Sequence, residues 1–180
     1  MTNASQKVLQ GKSTYISQGE LAVDSASDVT ISTILGSCIA ACIWDPVAKI
    51  GGMNHFLLPE GPQTREGVFS SFGANSMELL INTLTRSGAQ KERLRAKVFG
   101  GAEMYHGLTD AGNRNSEFVL RYLERENIPC DAQSLGGSQA RRVEFSPASG
   151  RVRQKLIEDA HIDEITPKAQ SSSELELFLT

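Results

Sequence analysis

Apolar runs along the chain predict a series of short β-strands. The most apolar run, residues 39–44, ends at Asp45-Pro46, a strong turn signal, and this pattern is typical of a buried strand. Residues 49–58 predict the next strand, so we expect the two to form a hairpin about the Asp-Pro turn. The other β-favouring runs are 19–23, 29–34, 95–99, 141–145 and 151–157, with a further extended piece from residue 128.

Two segments have the spacing of amphipathic helices. In residues 74–87 the apolar stripe consists of Met77, Leu80, Ile81 and Leu84, and Gly88 is a stop signal. Residues 116–126 repeat the pattern, with Asn115 or Ser116 as the expected N-cap. Several strands with two long helices predict an α+β fold, in which mixed or antiparallel sheets pack with the helices as an α/β sandwich.

Composition and charge indicate one soluble domain. The chain has 180 residues, of which 39% are hydrophobic and 22% charged, and 18 basic against 21 acidic residues give a net charge of −3. This charge argues against binding to nucleic acid or to anionic membranes, and no apolar run is long enough to span a bilayer. We expect a cytoplasmic protein with a flexible arm over 1–12, a domain over 13–159 and a flexible tail over 160–180.

The cysteines suggest a nucleophile rather than a disulfide framework. Three of them, Cys38, Cys42 and Cys130, are too few and odd in number for such a framework. Gly36 and Ser37 directly precede Cys38, and small residues there allow backbone N–H groups to point at an oxyanion held by the sulfur. The alternative is that Cys38 is simply a small buried apolar residue. Cys42, inside the apolar run, is expected in the core.

His55 is the candidate base for Cys38. It lies 17 residues further on, in the strand after the Asp-Pro turn, where a hairpin could bring it across from the cysteine. An ion pair between them would lower the pKa of the thiol. A zinc site built from Cys38, Cys42 and His55 lacks a fourth ligand at suitable spacing, so we expect no metal and no cofactor.

Several motifs together resemble those of the CheD family, the chemoreceptor glutamine deamidases of bacterial chemotaxis. The most specific is LGSC followed after 17 residues by the histidine of NHF. The matching stretches are LGSC (35–38), DPVAKIGGMNHFLLP (45–59), MELLIN (77–82), KVFGG (97–101), GNRN (112–115), LGG (135–137), RRV (141–143) and GRV (150–152).

The resemblance implies a fold related to toxin-type cysteine deamidases and a site made of a cysteine, a histidine and a hydroxyl residue. Cys38 and His55 match directly. The hydroxyl residue, usually Thr shortly before the cysteine, corresponds to Ser32 or to Thr33, and both remain candidates. The candidates for oxyanion or substrate binding are Gly36, Ser37 and Asn54.

The implied reaction is hydrolysis of glutamine side chains to glutamate on chemoreceptor cytoplasmic domains, through a thioester. Chemoreceptors are the implied substrate partners, and a CheC-type phosphatase is a further candidate partner. The alternative is a non-catalytic module that docks receptors or such a phosphatase. A papain-like protease is disfavoured, because its cysteine and histidine are separated by about 130–150 residues.

Overall fold

The structure, a computed structural model, describes residues 12–59, 66–104 and 110–158, with the backbone alone for 66–71. The predicted arm and tail fall almost entirely outside these residues. In chain order the elements are β1 Lys12–Tyr15, β2 Leu21–Asp24, β3 Val29–Leu35, β4 Ile39–Asp45, β5 Ile50–Asn54, α1 Glu66–Arg86, a 3-10 turn Lys91–Arg93, β6 Arg95–Gly100, α2 Ala111–Arg125, β7 Cys130–Leu135, β8 Ala140–Ser146 and β9 Arg151–Ile157.

The described strands form two mixed sheets. Sheet A has the order β1-β3-β8-β9, and sheet B has the order β2-β5-β4-β6-β7. One apolar core fills the space between the sheets, and a second lies between sheet B and the two helices. The molecule is therefore a three-layer sandwich of sheet A, sheet B and helices, which confirms the predicted α+β class.

Strand β4 lies at the centre of sheet B and is buried on both faces. All seven of its residues are buried, which explains why the six before Asp45 form a continuous apolar run rather than an alternating pattern. Ile39, Ala41 and Ile43 face the helices, whereas Cys38, Ala40 and Cys42 face sheet A. The two cores are therefore assembled on either side of the same strand.

The predicted hairpin of β4 and β5 is confirmed. The strands are antiparallel, with Asp45 opposite Ile50 and Cys42 opposite Met53. Asp45 closes the turn, since one carboxylate oxygen accepts the N–H groups of Val47 and Ala48, and the guanidinium of Arg93 binds both oxygens. Although burial alone would raise the pKa of Asp45, these partners hold that pKa well below its usual range.

Some element boundaries differ from the sequence prediction. Helix α1 begins eight residues earlier than predicted, at Glu66, and strand β1 was not predicted. Helix α2 begins at Ala111, so Asn115 lies inside the helix and the N-cap is Asp110. The first turn of α2 is not amphipathic because it packs on backbone, with Gly112 so close to Gly101 that a side chain there would collide with the Gly101 carbonyl.

Candidate active site

Cys38 lies where the chain crosses from sheet A to sheet B. Strand β3 ends at Leu35 in sheet A, and β4 begins at Ile39 in sheet B, so only three residues make the crossing. The Gly36 carbonyl accepts from Ala102 N–H at 3.0 Å, and the Cys38 carbonyl accepts from Gly101 N–H at 2.9 Å. These bonds, together with the small residues before the cysteine, fix the backbone on both sides of Ser37.

The approach of the Cys38 backbone to the end of β6 depends on glycine. Gly100 has a φ of +118°, a conformation that L side chains rarely adopt. A side chain at Gly100 would also collide with the Cys38 carbonyl oxygen. The KVFGG motif therefore supports the cysteine segment directly.

The register of the hairpin places His55 diagonally from Cys38. Ile39 and Phe56 exchange two backbone hydrogen bonds of 2.9 Å, which makes Ala40 the residue opposite His55. Cys38 is opposite Leu57, so the expectation that it faces His55 directly is wrong by two residues. The reason is the four-residue turn 46–49, which sets the register of the whole hairpin.

Although His55 is a diagonal neighbour of Cys38, the two residues lie on the same face of sheet B. Residues two apart on a strand share a face, so His55 and Leu57 both point toward sheet A, as Cys38 does. Diagonal neighbours on adjacent antiparallel strands are roughly 7–8 Å apart, which long and aromatic side chains bridge. The imidazole and the thiol therefore share the space between the sheets.

Thr33 fixes the proton on one nitrogen of His55. Its Oγ1 lies 2.7 Å from His55 Nδ1 and 2.7 Å from the carbonyl oxygen of Ile16. A hydroxyl has one hydrogen, and a carbonyl can only accept, so that hydrogen goes to Ile16. Thr33 Oγ1 must then accept from Nδ1–H, which leaves Nε2 as the unprotonated nitrogen of the neutral ring.

Ser32, the other hydroxyl candidate, lies on the opposite face of β3. Residues 29, 31, 33 and 35 share the inner face of β3, so Ser32, although it is also buried, points to the outer face of sheet A, in register with Tyr15 and Glu144. Of the two hydroxyls, Thr33 is the one that contacts the imidazole.

Asn54, predicted to bind the oxyanion or the substrate, lines a cavity next to His55 and uses its polar atoms for packing contacts. Strand alternation turns it toward the helices, where its Oδ1 accepts from Ala41 N–H at 3.0 Å. Its Nδ2 donates to the Ser76 carbonyl at 3.3 Å and contacts Met77 Sδ at 3.5 Å. The carboxamide is therefore used to hold α1 against sheet B.

Both members of the cysteine–histidine pair are enclosed. Cys38 is 2% exposed and His55 is 6% exposed. Burial lowers the pKa of His55 to about 4, although the Ile16 carbonyl and the Glu20 carboxylate oppose the shift. His55 is therefore uncharged at neutral pH, so it is a proton acceptor there rather than the cationic half of an ion pair.

Gln18 contacts the thiol, and sequence reasoning missed it. The Cys38 thiol donates to Gln18 Oε1 over 3.7 Å. Gln18 sits in a turn held to the site by two bonds, from Gly19 N–H to the His55 carbonyl at 2.7 Å and from His55 N–H to the Glu20 carbonyl at 3.1 Å. The sequence offers one signal for this turn, the glycine at position 19, which has a φ of +87° in the structure. Nothing in the sequence links the turn to Cys38.

A cavity of about 230 Å³ opens beside His55. The Gln18 turn forms one side and α1 the other, where Phe72 and Leu79 are exposed. A larger cavity of about 380 Å³ between α1 and α2 includes Phe118 and Tyr122 in its lining. Neither Cys38 nor His55 lines the larger cavity, so it is not part of this site.

The two remaining cysteines differ from Cys38 in their surroundings. Cys42 is fully buried, as predicted, and its burial raises the pKa of its thiol. Cys130 is exposed at the start of β7. Among the described residues, no three His, Cys, Asp or Glu side chains cluster as metal ligands would, and neither helix is long and apolar enough to cross a membrane.

Comparison with known proteins supplies the family. A model of the family described as CheD chemotactic sensory transduction matches residues 57–156. A protein of Caulobacter vibrioides is 54% identical over 144 residues, covering 79% of this chain and 77% of its own. The chain belongs to the CheD family.

A further CheD relative, from Caulobacter sp. strain K31, is 48% identical over 172 residues and covers 91% of this chain and 92% of its own. Both Caulobacter proteins are named probable chemoreceptor glutamine deamidase CheD. The crystal structure of Neisseria meningitidis protein NMB0706 is similar to this chain with a TM-score of 0.43 and 9% identity, covering 71% of this chain and 63% of its own. A likeness of that size does not bear on function.

Proposed function

We propose that this protein hydrolyses glutamine side-chain carboxamides of chemoreceptor cytoplasmic domains to glutamate, with Cys38 as nucleophile and His55 as acid and base. The observation that carries the proposal is the bond between Thr33 and His55, because it leaves Nε2 free to accept a proton on the face that carries Cys38. The names of the Caulobacter relatives supply the substrate class.

The first half of the reaction forms a thioester. His55 Nε2 takes the proton of the Cys38 thiol as the sulfur attacks the carboxamide carbon of the substrate glutamine. The tetrahedral intermediate then collapses, and the imidazolium gives its proton to the departing nitrogen, which leaves as ammonia. A carboxamide and a thiol thus give a thioester and ammonia.

The second half restores the enzyme. His55, again neutral, accepts a proton from a water molecule that attacks the thioester carbon. The carbon–sulfur bond breaks, the sulfur regains its proton from His55, and the product is a glutamate side chain. One base serves both halves, which is why its tautomer and orientation need the fixed contact with Thr33.

Backbone N–H groups of the cysteine segment are the proposed oxyanion donors. In a trans peptide the N–H points opposite to the carbonyl of the same unit. Hydrogen bonds from Ala102 and from Asn115 Nδ2 hold the carbonyls of Gly36 and Ser37, so the N–H groups of Ser37 and Cys38 are held in fixed directions as well. Preorganised donors of this kind stabilise an oxyanion without the cost of reorganisation.

The proposed setting is the cytoplasm, where reducing conditions keep a catalytic thiol free. A direct test is to incubate the protein with purified chemoreceptor cytoplasmic domains, measure the ammonia released, and map Gln-to-Glu conversion by peptide mass spectrometry. Conversion at defined glutamines, with ammonia in equal amount, supports the proposal. Receptor domains that bind the protein but keep every glutamine overturn it in favour of a docking module.

A further inference from the structure

Asn115 joins the two segments that carry Cys38 and His55. It lies in the second turn of α2 and is 1% exposed. Its Nδ2 donates to the Ser37 carbonyl at 2.9 Å, and its Oδ1 accepts from Leu58 N–H at 3.1 Å. Ser37 directly precedes Cys38, and Leu58 follows His55 by three residues on the same chain segment.

The chemistry of the two partners requires a carboxamide at this position. A carbonyl oxygen only accepts hydrogen bonds and a backbone N–H only donates them, so the side chain must offer one donor and one acceptor side by side. Asn does so in a single orientation. A carboxylate would retain the acceptor for Leu58 and lose the donor for Ser37, and an alkyl side chain would lose both.

The bond to Ser37 controls the direction of one peptide unit. The Ser37 carbonyl and the Cys38 N–H belong to the same planar group, so fixing one fixes the other. The neighbouring carbonyls, of Gly36 and Cys38, are held by backbone N–H groups of Ala102 and Gly101. Among these three carbonyls, that of Ser37 is held by a side chain, so Asn115→Asp, which keeps the acceptor for Leu58, releases it alone.

The packing of α2 shows how Asn115 reaches the site. The start of α2 lies against the end of β6, and a side chain at Gly112 would collide with the carbonyls of Gly101 and Ala102. Gly101 also contacts the cysteine segment, since its N–H donates to the Cys38 carbonyl. This close contact brings Asn115 between the cysteine segment and the chain after His55.

We propose that Asn115 is a positioning residue that directs the Cys38 N–H toward the oxyanion of the reaction. This assignment rests on the proposed deamidase function. It predicts that Asn115 matters for turnover of a carboxamide, which develops an oxyanion, and not for simple alkylation of the thiol, which develops none at a carbonyl.

The test compares Asn115→Ala with two controls on the same helix. Val119→Ala removes a fully buried apolar side chain one turn further on, and Asn113→Ala removes an exposed asparagine. For each folded variant, kcat and KM are measured on receptor domains by ammonia release, and the alkylation rate of Cys38 by iodoacetamide is followed on its peptide by mass spectrometry. Asn115→Asp, which is isosteric, serves as a second variant if the alanine variant does not fold.

We expect Asn115→Ala and Asn115→Asp to lower kcat by at least ~10-fold, with KM and the alkylation rate within about 2-fold of wild type. Both controls should keep kcat near the wild-type value, even where Val119→Ala lowers the unfolding temperature. Normal kcat in the Asn115 variants, or equal losses of alkylation and turnover, would overturn the assignment. A wild-type protein that releases no ammonia overturns the deamidase function instead, and the assignment falls with it.

Discussion

The side chains of Thr33 and His55 meet between the two sheets, with Thr33 Oγ1 2.7 Å from His55 Nδ1. Thr33 comes from sheet A and His55 from the chain that follows β5 of sheet B, so the contact depends on how the sheets pack. Because the hydroxyl hydrogen is committed to the Ile16 carbonyl, this contact determines which imidazole nitrogen is free.

Replacement of the hydroxyl tests this contact. Thr33→Ala should lower kcat by at least ~10-fold, because the ring loses its fixed tautomer and orientation, and the roughly 10²–10⁴-fold that general acid–base catalysis contributes is the upper bound on the loss. Thr33→Ser keeps the hydroxyl and should retain most of the activity. Ser32→Ala, on the outer face of β3, is the matched control and should behave as wild type. Equal kcat values for Thr33→Ala and Ser32→Ala would contradict the role of Thr33.

The low pKa of His55 predicts the acid limb of the pH–rate profile. His55 must be uncharged to accept the thiol proton, and its pKa of about 4 keeps it uncharged at neutral pH. On the acid side kcat/KM should therefore remain constant down to roughly pH 5 and fall as the pH drops through the pKa of His55, where the imidazolium forms. Measurement of kcat/KM at graded pH tests this, with stability checked by circular dichroism. A loss of activity centred near the ordinary histidine pKa would contradict the buried neutral imidazole.

The Asp45 turn should be a major source of stability for the hairpin that positions His55. Asp45→Ala leaves Arg93 without its carboxylate and opens the turn, at a cost of roughly 2–3 kcal/mol of unfolding free energy. That is below the cost for a fully buried pair, because 31% of the Arg93 side chain remains exposed. Asp131→Ala breaks the more exposed pair with Arg95 and should change stability little. Urea denaturation of both variants decides the comparison, and equal midpoints would refute it.

Gln18 should restrict access to the thiol. Its Oε1 accepts from the thiol, so a substrate carboxamide must take the place of the Gln18 side chain to reach the sulfur. Gln18→Ala should therefore speed the alkylation of Cys38 by iodoacetamide several-fold. The measurement needs a Cys130→Ser background, because Cys130 is exposed and would compete for reagent. An unchanged alkylation rate would show that the side chain does not shield the sulfur.

The parts of the fold predicted from the sequence are those with local signals. The apolar run of β4 and the Asp-Pro turn are adjacent in sequence, so the hairpin follows from them directly. The early start of α2 could not be predicted, because the first turn has no apolar stripe: Gly112 packs on the backbone of Gly101 and Ala102, and Asn115 binds the backbone of Ser37 and Leu58.

The site was predictable as a set of motifs but not as a geometry. The LGSC and NHF motifs identified Cys38 and His55 as candidates. The choice between Ser32 and Thr33 depends on which face of β3 packs on sheet B, which is a tertiary property. The packing role of Asn54 could not be predicted for the same reason, since neighbours on a strand point to opposite faces, and its proposed contact with substrate stays a prediction. Gln18 is separated from Cys38 by 20 residues and belongs to none of the motifs.

The most direct test of the account compares two cysteines of the same sheet face. Cys38→Ala and Cys42→Ala are incubated, beside wild type, with purified chemoreceptor cytoplasmic domains, and Gln-to-Glu conversion is followed by peptide mass spectrometry. Cys42 is fully buried in the core between the sheets, so its replacement should lower stability and leave conversion intact. Cys38→Ala should fold, bind the receptor domains and convert no glutamine. Conversion by Cys38→Ala at the wild-type rate would contradict the proposed nucleophile.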